Sequence, residues 1–233
     1  MTRTLTTVAF DADDTLWHNE RFYQLTQARF ADLLADYTDE ATLMARLLEA
    51  ERRNLGHYGF GIKGFVLSMI ETAIEVTDGT VPARVIGDLL EAGQDMLQHP
   101  IELLPHAREA IEDLSESHRI LLITKGDLLD QERKLAQSGL VDLFDGVEIV
   151  SDKTAPVYAR IFDTHGEGPD RAMMVGNSMK SDVVPVVEIG GWGVFVPHGL
   201  EWEIEKSEPP KGAGRFHEIV DLGALPDLVR DIG

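Results

Sequence analysis

Thr7-Val8-Ala9-Phe10-Asp11-Ala12-Asp13-Asp14-Thr15-Leu16 is the stretch on which the reading of this chain turns. An uncharged, β-prone run leads straight into closely spaced carboxylates. A β-strand sends successive side chains to opposite faces, so Asp11 and Asp13 leave the strand on the same side and can converge on one reacting group. Paired carboxylates at a strand exit suit a nucleophile with an acid/base partner. The same residues also suit an acidic turn in which Asp14 or Thr15 caps a following helix.

Three later segments repeat the pattern of an apolar strand ending in polar chemistry. Ile120-Leu121-Leu122-Ile123-Thr124-Lys125-Gly126-Asp127 delivers a hydroxyl, a cation and a glycine to a strand end. The threonine can donate, Gly126 lets the backbone approach closely, and a helix starting near Asp127 offers free amide donors to an anion such as phosphate. Lys153 follows the strand-like Gly146–Val150 and precedes a helical pattern opened by Thr154, Ala155 and Pro156. A lysine there can neutralise both a nucleophilic carboxylate and a bound phosphate. Ala172-Met173-Met174-Val175-Gly176-Asn177-Ser178-Met179-Lys180-Ser181-Asp182 ends in oxygen-bearing side chains, which suit magnesium and also suit a capped helix start.

In this order the four segments resemble the haloacid dehalogenase superfamily, whose motifs are DxDxT, a strand-terminal Ser or Thr, a Lys, and a glycine-acid turn followed by Asp. The resemblance covers the catalytic core. It implies that Asp11 attacks phosphorus to form an aspartyl-phosphate, and that Asp13 protonates the leaving oxygen and later activates water. Thr124 and Lys153, with Lys125 and Gly126 beside them, would hold the transferring phosphoryl group. Magnesium would sit among Asp11, the backbone carbonyl of Asp13, Asn177 and waters, with Asp182 bound directly or through water. Many family phosphatases carry Asp where this chain has Asn177, so a neutral amide oxygen replaces a charged ligand and a weaker metal site is expected. The implied activity is phosphomonoester hydrolysis of a small phosphorylated metabolite. A phosphomutase or dehalogenase of the same fold, or a catalytically silent binding or regulatory protein with an impaired metal site, are alternative readings of these motifs.

The physics agrees with that division of labour. A carboxylate is a weak nucleophile, and it needs positive charge nearby to align a phosphate and offset repulsion between anions. Splitting hydrolysis into formation and breakdown of a covalent intermediate lets one acid/base group serve twice.

The chain has 233 residues and a net charge of −20, from 21 Lys and Arg against 41 Asp and Glu. Such an excess argues against nucleic acid and anionic membrane surfaces as partners, so an anionic substrate must find a local positive site. The absence of cysteine excludes disulfides, thiolate catalysis and cysteine-based zinc sites. No stretch approaches the ~20 apolar residues of a membrane span, and no long apolar run precedes Asp11, so a soluble cytoplasmic protein is expected. Monomer and homodimer are both compatible with the sequence.

Strands are expected near residues 4–10, 119–124, 146–150, 171–176 and 192–197, alternating with helices after residue 120. That is the pattern of an α/β, doubly wound parallel sheet with a Rossmann-like topology, in which ligands bind at strand carboxyl ends. Between the first two core strands the sequence loses strand signal and gains helical periodicity, as in Val66, Met69, Ile70, Ala73 and Ile74. An inserted all-helical domain follows, with helices near 19–36, 39–55, 60–77 and 82–98. The core would comprise residues 1–16 and 105–233 and the insertion residues 17–104. Similar family members place a helical cap there, which would choose the substrate. Gly56–Gly64 reads either as a helix connector or as a recognition loop using His57, Tyr58 or Lys63. Trp192, Trp202 and His198 read as packing residues, and a last helix is expected around 218–229.

Overall fold

A computed structural model describes residues 5–200, 202–212 and 214–232. Residue 4 of the first expected strand, Glu201 of the tail, and the chain ends counted with the core lie outside them. Two compact units divide the chain: residues 1–20, 101–125 and 131–233 form one, and residues 21–100 with 126–130 form the other.

The first unit is built on a parallel sheet. Among the described residues it has the strands β1 (Thr7–Phe10), β2 (Arg119–Lys125), β3 (Gly146–Val150), β4 (Ala172–Gly176), β5 (Trp192–Phe195) and β6 (Phe216–Glu218). Their spatial order is β3-β2-β1-β4-β5-β6, and every pairing is parallel. The chain therefore winds outward from β1 in one direction and then in the other. The crevice where the order reverses lies beside β1, between strands whose next residues are Asp11 and Asn177.

Both faces of the sheet are covered, which is why its central strands are apolar on both sides. Val8 and Phe10 pack with Ala107, Ile111 and Leu114 of helix α5 (Ala107–Ser115) and with Leu225 and Val229 of helix α9 (Leu225–Ile232). Ala9, on the opposite face, packs with Leu121, Ile123 and with Tyr158, Ile161 and Phe162 of helix α7 (Ala155–His165). Pro156 sits in the first turn of α7, where its missing N–H costs no hydrogen bond.

Four helices fill the second unit: α1 (Glu20–Leu34), α2 (Glu40–Tyr58), α3 (Ile62–Val76) and α4 (Ala83–Gln98). They bury a core of their own, with Phe30, Leu34, Leu43, Leu47, Phe65, Met69 and Leu89 at its centre. Asp39 caps α2 by accepting from the Thr42 N–H at 3.0 Å. The glycine-rich segment is the α2–α3 link. Gly59 and Gly61 take positive φ of 73° and 122°, and a Cβ on Gly64 would lie 2.9 Å from the Gly59 carbonyl oxygen. The glycines thus serve a tight helix connection. Lys63 pairs with Asp127 at 3.1 Å within the same unit.

The expected helix near 218–229 is shorter and later than its sequence pattern implies. Phe216–Glu218 forms the edge strand β6 instead, pairing with Gly193–Phe195.

Candidate active site

Asp11 directly follows β1, and its N–H donates to the Val175 carbonyl of β4 at 2.9 Å, which fixes it at the reversal of strand order. The carboxylate is buried. Its Oδ1 accepts from Lys153 Nζ, and its Oδ2 accepts from the Thr15 hydroxyl at 3.2 Å. Lys153 Nζ also donates to Asp182 Oδ1 at 2.7 Å, so one buried ammonium serves two carboxylates. Burial pushes the Asp11 carboxyl up to about 7; Lys153 opposes the shift and Asp182 adds to it. Burial also works against the Lys153 ammonium, yet Asp11 and Asp182 outweigh it and raise its pKa. Two acids sharing one base leave this cluster short of positive charge, so a further cation would favour ionised Asp11.

The turn after β4 holds Asp182 in place. Ser178 Oγ accepts from the Ser181 N–H at 3.0 Å, and Asp182 Oδ2 accepts from the Ser178 N–H at 2.9 Å. This reciprocal cap opens a single π-helical turn, Met179–Val183, of the kind that often occurs at functional sites. Gly176 is required there, because a Cβ would stand 2.2 Å from Asp182 Oδ2. The Tyr158 hydroxyl donates to the Ser181 carbonyl at 3.0 Å and closes the cluster from α7.

The donor set fits magnesium. The Asn177 carboxamide stands 3.2 Å from the Asp13 carbonyl oxygen, 3.3 Å from Asp11 Oδ2 and 3.3 Å from Thr15 Oγ1. With its nitrogen toward them it donates to all three. With its oxygen toward them it forms, with Asp11 Oδ2 and the Asp13 carbonyl, a group of oxygen ligands that a hard cation can hold. Asp182 offers less, since Lys153 and the Ser178 N–H already occupy its two oxygens.

Asp13 lives among different neighbours. Its carboxylate accepts from Trp17 Nε1 at 2.7 Å, from Gln131 Nε2 at 2.8 Å, and from Lys134 Nζ at 3.0 Å to both oxygens. Lys134 is itself buried and also donates to Asn19 Oδ1 at 2.8 Å. Gln131 and Lys134 come from helix α6 (Leu128–Ser138), three residues apart and therefore on one helix face.

Thr124 is buried at the end of β2, paired in register with Ile149. Gly126, at φ 142°, makes the turn that follows. Lys125 is engaged elsewhere: its ammonium donates to Glu205 Oε1 at 2.6 Å and to Ser181 Oγ at 2.7 Å. The second Glu205 oxygen accepts from Ser178 Oγ at 2.7 Å and Ser181 Oγ at 2.5 Å. Burial alone would raise the Glu205 carboxyl, but Lys125 and the serine hydroxyls hold it below its ordinary 4.5.

Residues 5–185 match the haloacid dehalogenase-like hydrolase family. The chain belongs to that family. A haloacid dehalogenase-like family hydrolase from Xanthomonas campestris is 43% identical, with a TM-score of 0.86 over 98% of this chain and 92% of that one. A glyceraldehyde 3-phosphate phosphatase from Methanothermobacter thermautotrophicus is 23% identical over 97% of this chain and all of its own length. The L-2-haloacid dehalogenase of Xanthobacter autotrophicus, with chloropropionic acid covalently bound, is 18% identical with a TM-score of 0.68 over 99% of this chain and 100% of that one, a likeness of fold. This haloacid dehalogenase-like chain is thus a hydrolase. Among its described residues no helix is long and apolar enough to cross a membrane.

Trp17, Gln131, Lys134, Tyr158 and Glu205 escape a motif-based reading of the sequence. Only the Gln131-x-x-Lys134 spacing carries a signal, that of two polar side chains sharing one helix face.

Proposed function

We propose that this chain is a Mg2+-dependent phosphomonoester hydrolase that acts on a small phosphorylated metabolite in the cytoplasm through an aspartyl-phosphate on Asp11. The observation that carries the reading is a pair of carboxylates two residues apart that meet different buried lysines: Asp11 meets Lys153, which Asp182 shares, and Asp13 meets Lys134. A nucleophile and a separate acid/base group need such distinct settings.

Asp11 attacks phosphorus while the bond to the leaving oxygen breaks, and Asp13 passes that oxygen a proton. As a carboxylate, Asp13 then takes a proton from the water that attacks the aspartyl-phosphate, releasing phosphate and restoring Asp11. Thr124 and Lys153 hold the phosphoryl oxygens, with Gly126 allowing close backbone approach. Asp11, the Asp13 carbonyl, Asn177 and waters would hold magnesium, with Asp182 joining through water. When bound, the ion supplies the positive charge that offsets repulsion between carboxylate and phosphate. Substrate choice is assigned to the helical unit, at the position of the cap in similar family members.

Phosphate release from p-nitrophenyl phosphate and a panel that begins with triose phosphates, with and without Mg2+, tests this reading. Metal-dependent release that disappears in Asp11→Asn is expected. Metal-independent halide release from a 2-chloro acid, with no phosphate release from any substrate, would overturn it.

A further inference from the structure

Outside this machinery, three metal-ligating side chains converge within the sheet unit: Asp14, His18 and His198 each offer one ligand atom, all within 4.8 Å of one another. Asp14 and His18 lie on one tight turn. The Asp14 N–H donates to the Trp17 carbonyl at 2.7 Å, and the His18 N–H donates to the Glu102 carbonyl at 3.0 Å. His198 follows β5, and its ring meets that of His18 edge-on, with centroids 6.0 Å apart.

The hydrogen bonds around the cluster choose which atoms face inward. His198 Nδ1 lies 3.1 Å from the Leu200 carbonyl, which can only accept, so Nδ1 carries the proton. In the neutral ring Nε2 then presents a lone pair, and it faces Asp14 Oδ1 at 3.7 Å. That is too long for a hydrogen bond. It is close to the ~3.4 Å that separates two ligands of one tetrahedral ion with bonds of about 2.1 Å. A backbone carbonyl behind a ligating imidazole is the arrangement that orients metal-bound histidine. The Asp14 carboxylate is oriented in the same way: Oδ1 accepts from the Asn19 N–H and Oδ2 from the Glu20 N–H, both at 2.8 Å, and each oxygen keeps a lone pair.

We infer that Asp14, His18 and His198 form a second metal site, for a divalent first-row transition ion of the zinc type. Two imidazoles and one carboxylate select such an ion over magnesium or calcium, which prefer all-oxygen shells. Three protein ligands leave a position open to water or a small anion. The ion would pin the turn that carries Asp13 and Asp14 to the loop after β5. This inference concerns binding and holds whatever reaction Asp11 performs.

Calorimetric titration of Zn2+ into the full chain, in saturating Mg2+ to occupy the Asp11 and Asn177 oxygens, tests it. Wild type, His18→Gln, His198→Gln and Asn177→Ala are compared, with Co2+ absorption as a second readout and circular dichroism as the check on folding. One tight equivalent is expected in wild type and in Asn177→Ala, weakened at least 10- to 100-fold in each histidine variant, with the visible bands of four-coordinate Co2+ lost in parallel. Zinc affinity unchanged in folded histidine variants would overturn the site, as would a wild type without a tight equivalent. Loss of binding in Asn177→Ala alone would assign the ion to the Asp11 cluster and equally overturn it.

Discussion

Asp11 and Asp13 are separated by one alanine and occupy opposite electrostatic settings. Asp11 is buried and shares a single ammonium with Asp182. Asp13 is reached by an indole, an amide and an ammonium of its own, from the following turn and from α6. A crowded, charge-poor carboxylate can be switched on by a cation, whereas one held by donors on both oxygens is fixed in direction. Neighbouring positions in sequence thus receive different chemistry from the elements that reach them, which is how two like groups come to divide one reaction.

The largest test of this contrast is Asp11→Asn, expected to lower phosphate release by about 10^4-fold or more, as when a nucleophile is lost, read by steady-state kinetics. Asp13→Asn is expected to cost about 10^2- to 10^4-fold, the range of a lost acid/base group. An equal loss in the two variants, with phosphoenzyme still absent in Asp13→Asn, would break the distinction between them. Lys134→Met sharpens it further: kcat should fall about 10- to 100-fold with little change in KM, through misorientation of Asp13, and Lys134→Arg should restore part of it.

The smallest effect concerns the neighbouring ion pair. Glu205→Gln replaces the carboxylate beside Lys125 with a neutral amide of the same shape and should cost about 1 kcal/mol at neutral pH, the scale of one net hydrogen bond. Because the folded carboxyl lies below its ordinary 4.5, the contribution is complete above that pH and disappears as pH falls through the lower folded value. Thermal melts of wild type and variant should therefore differ by a constant amount near neutrality and converge on acidification. A gap that persisted into strong acid would show that packing, and not charge, holds the tail.

Much of the fold is legible because it is written in local periodicity. The apolar strands before Asp11, Thr124 and Asn177, and the helical repeats of residues 20–98, each declare themselves within one window of sequence. β6 does not, because three residues at a sheet edge carry no period and the following helix masks them. That Asp11, Lys153 and Asp182 each stand past the end of a strand is legible in the sequence, whereas the sharing of one ammonium by the two carboxylates is not. Lys125 looks identical by that criterion, yet Glu205, 80 residues later, takes its charge.

By itself the sequence determined the parallel α/β core, the helical insertion and the strand-end carboxylates, because side-chain alternation and helical spacing act between neighbours. Tertiary structure alone decided which lysine meets which carboxylate, that Gln131 and Lys134 reach Asp13, and that His198 faces Asp14. Those pairings depend on how strands and helices distant in sequence are brought together, and a buried charge takes whichever partner the packing puts within reach.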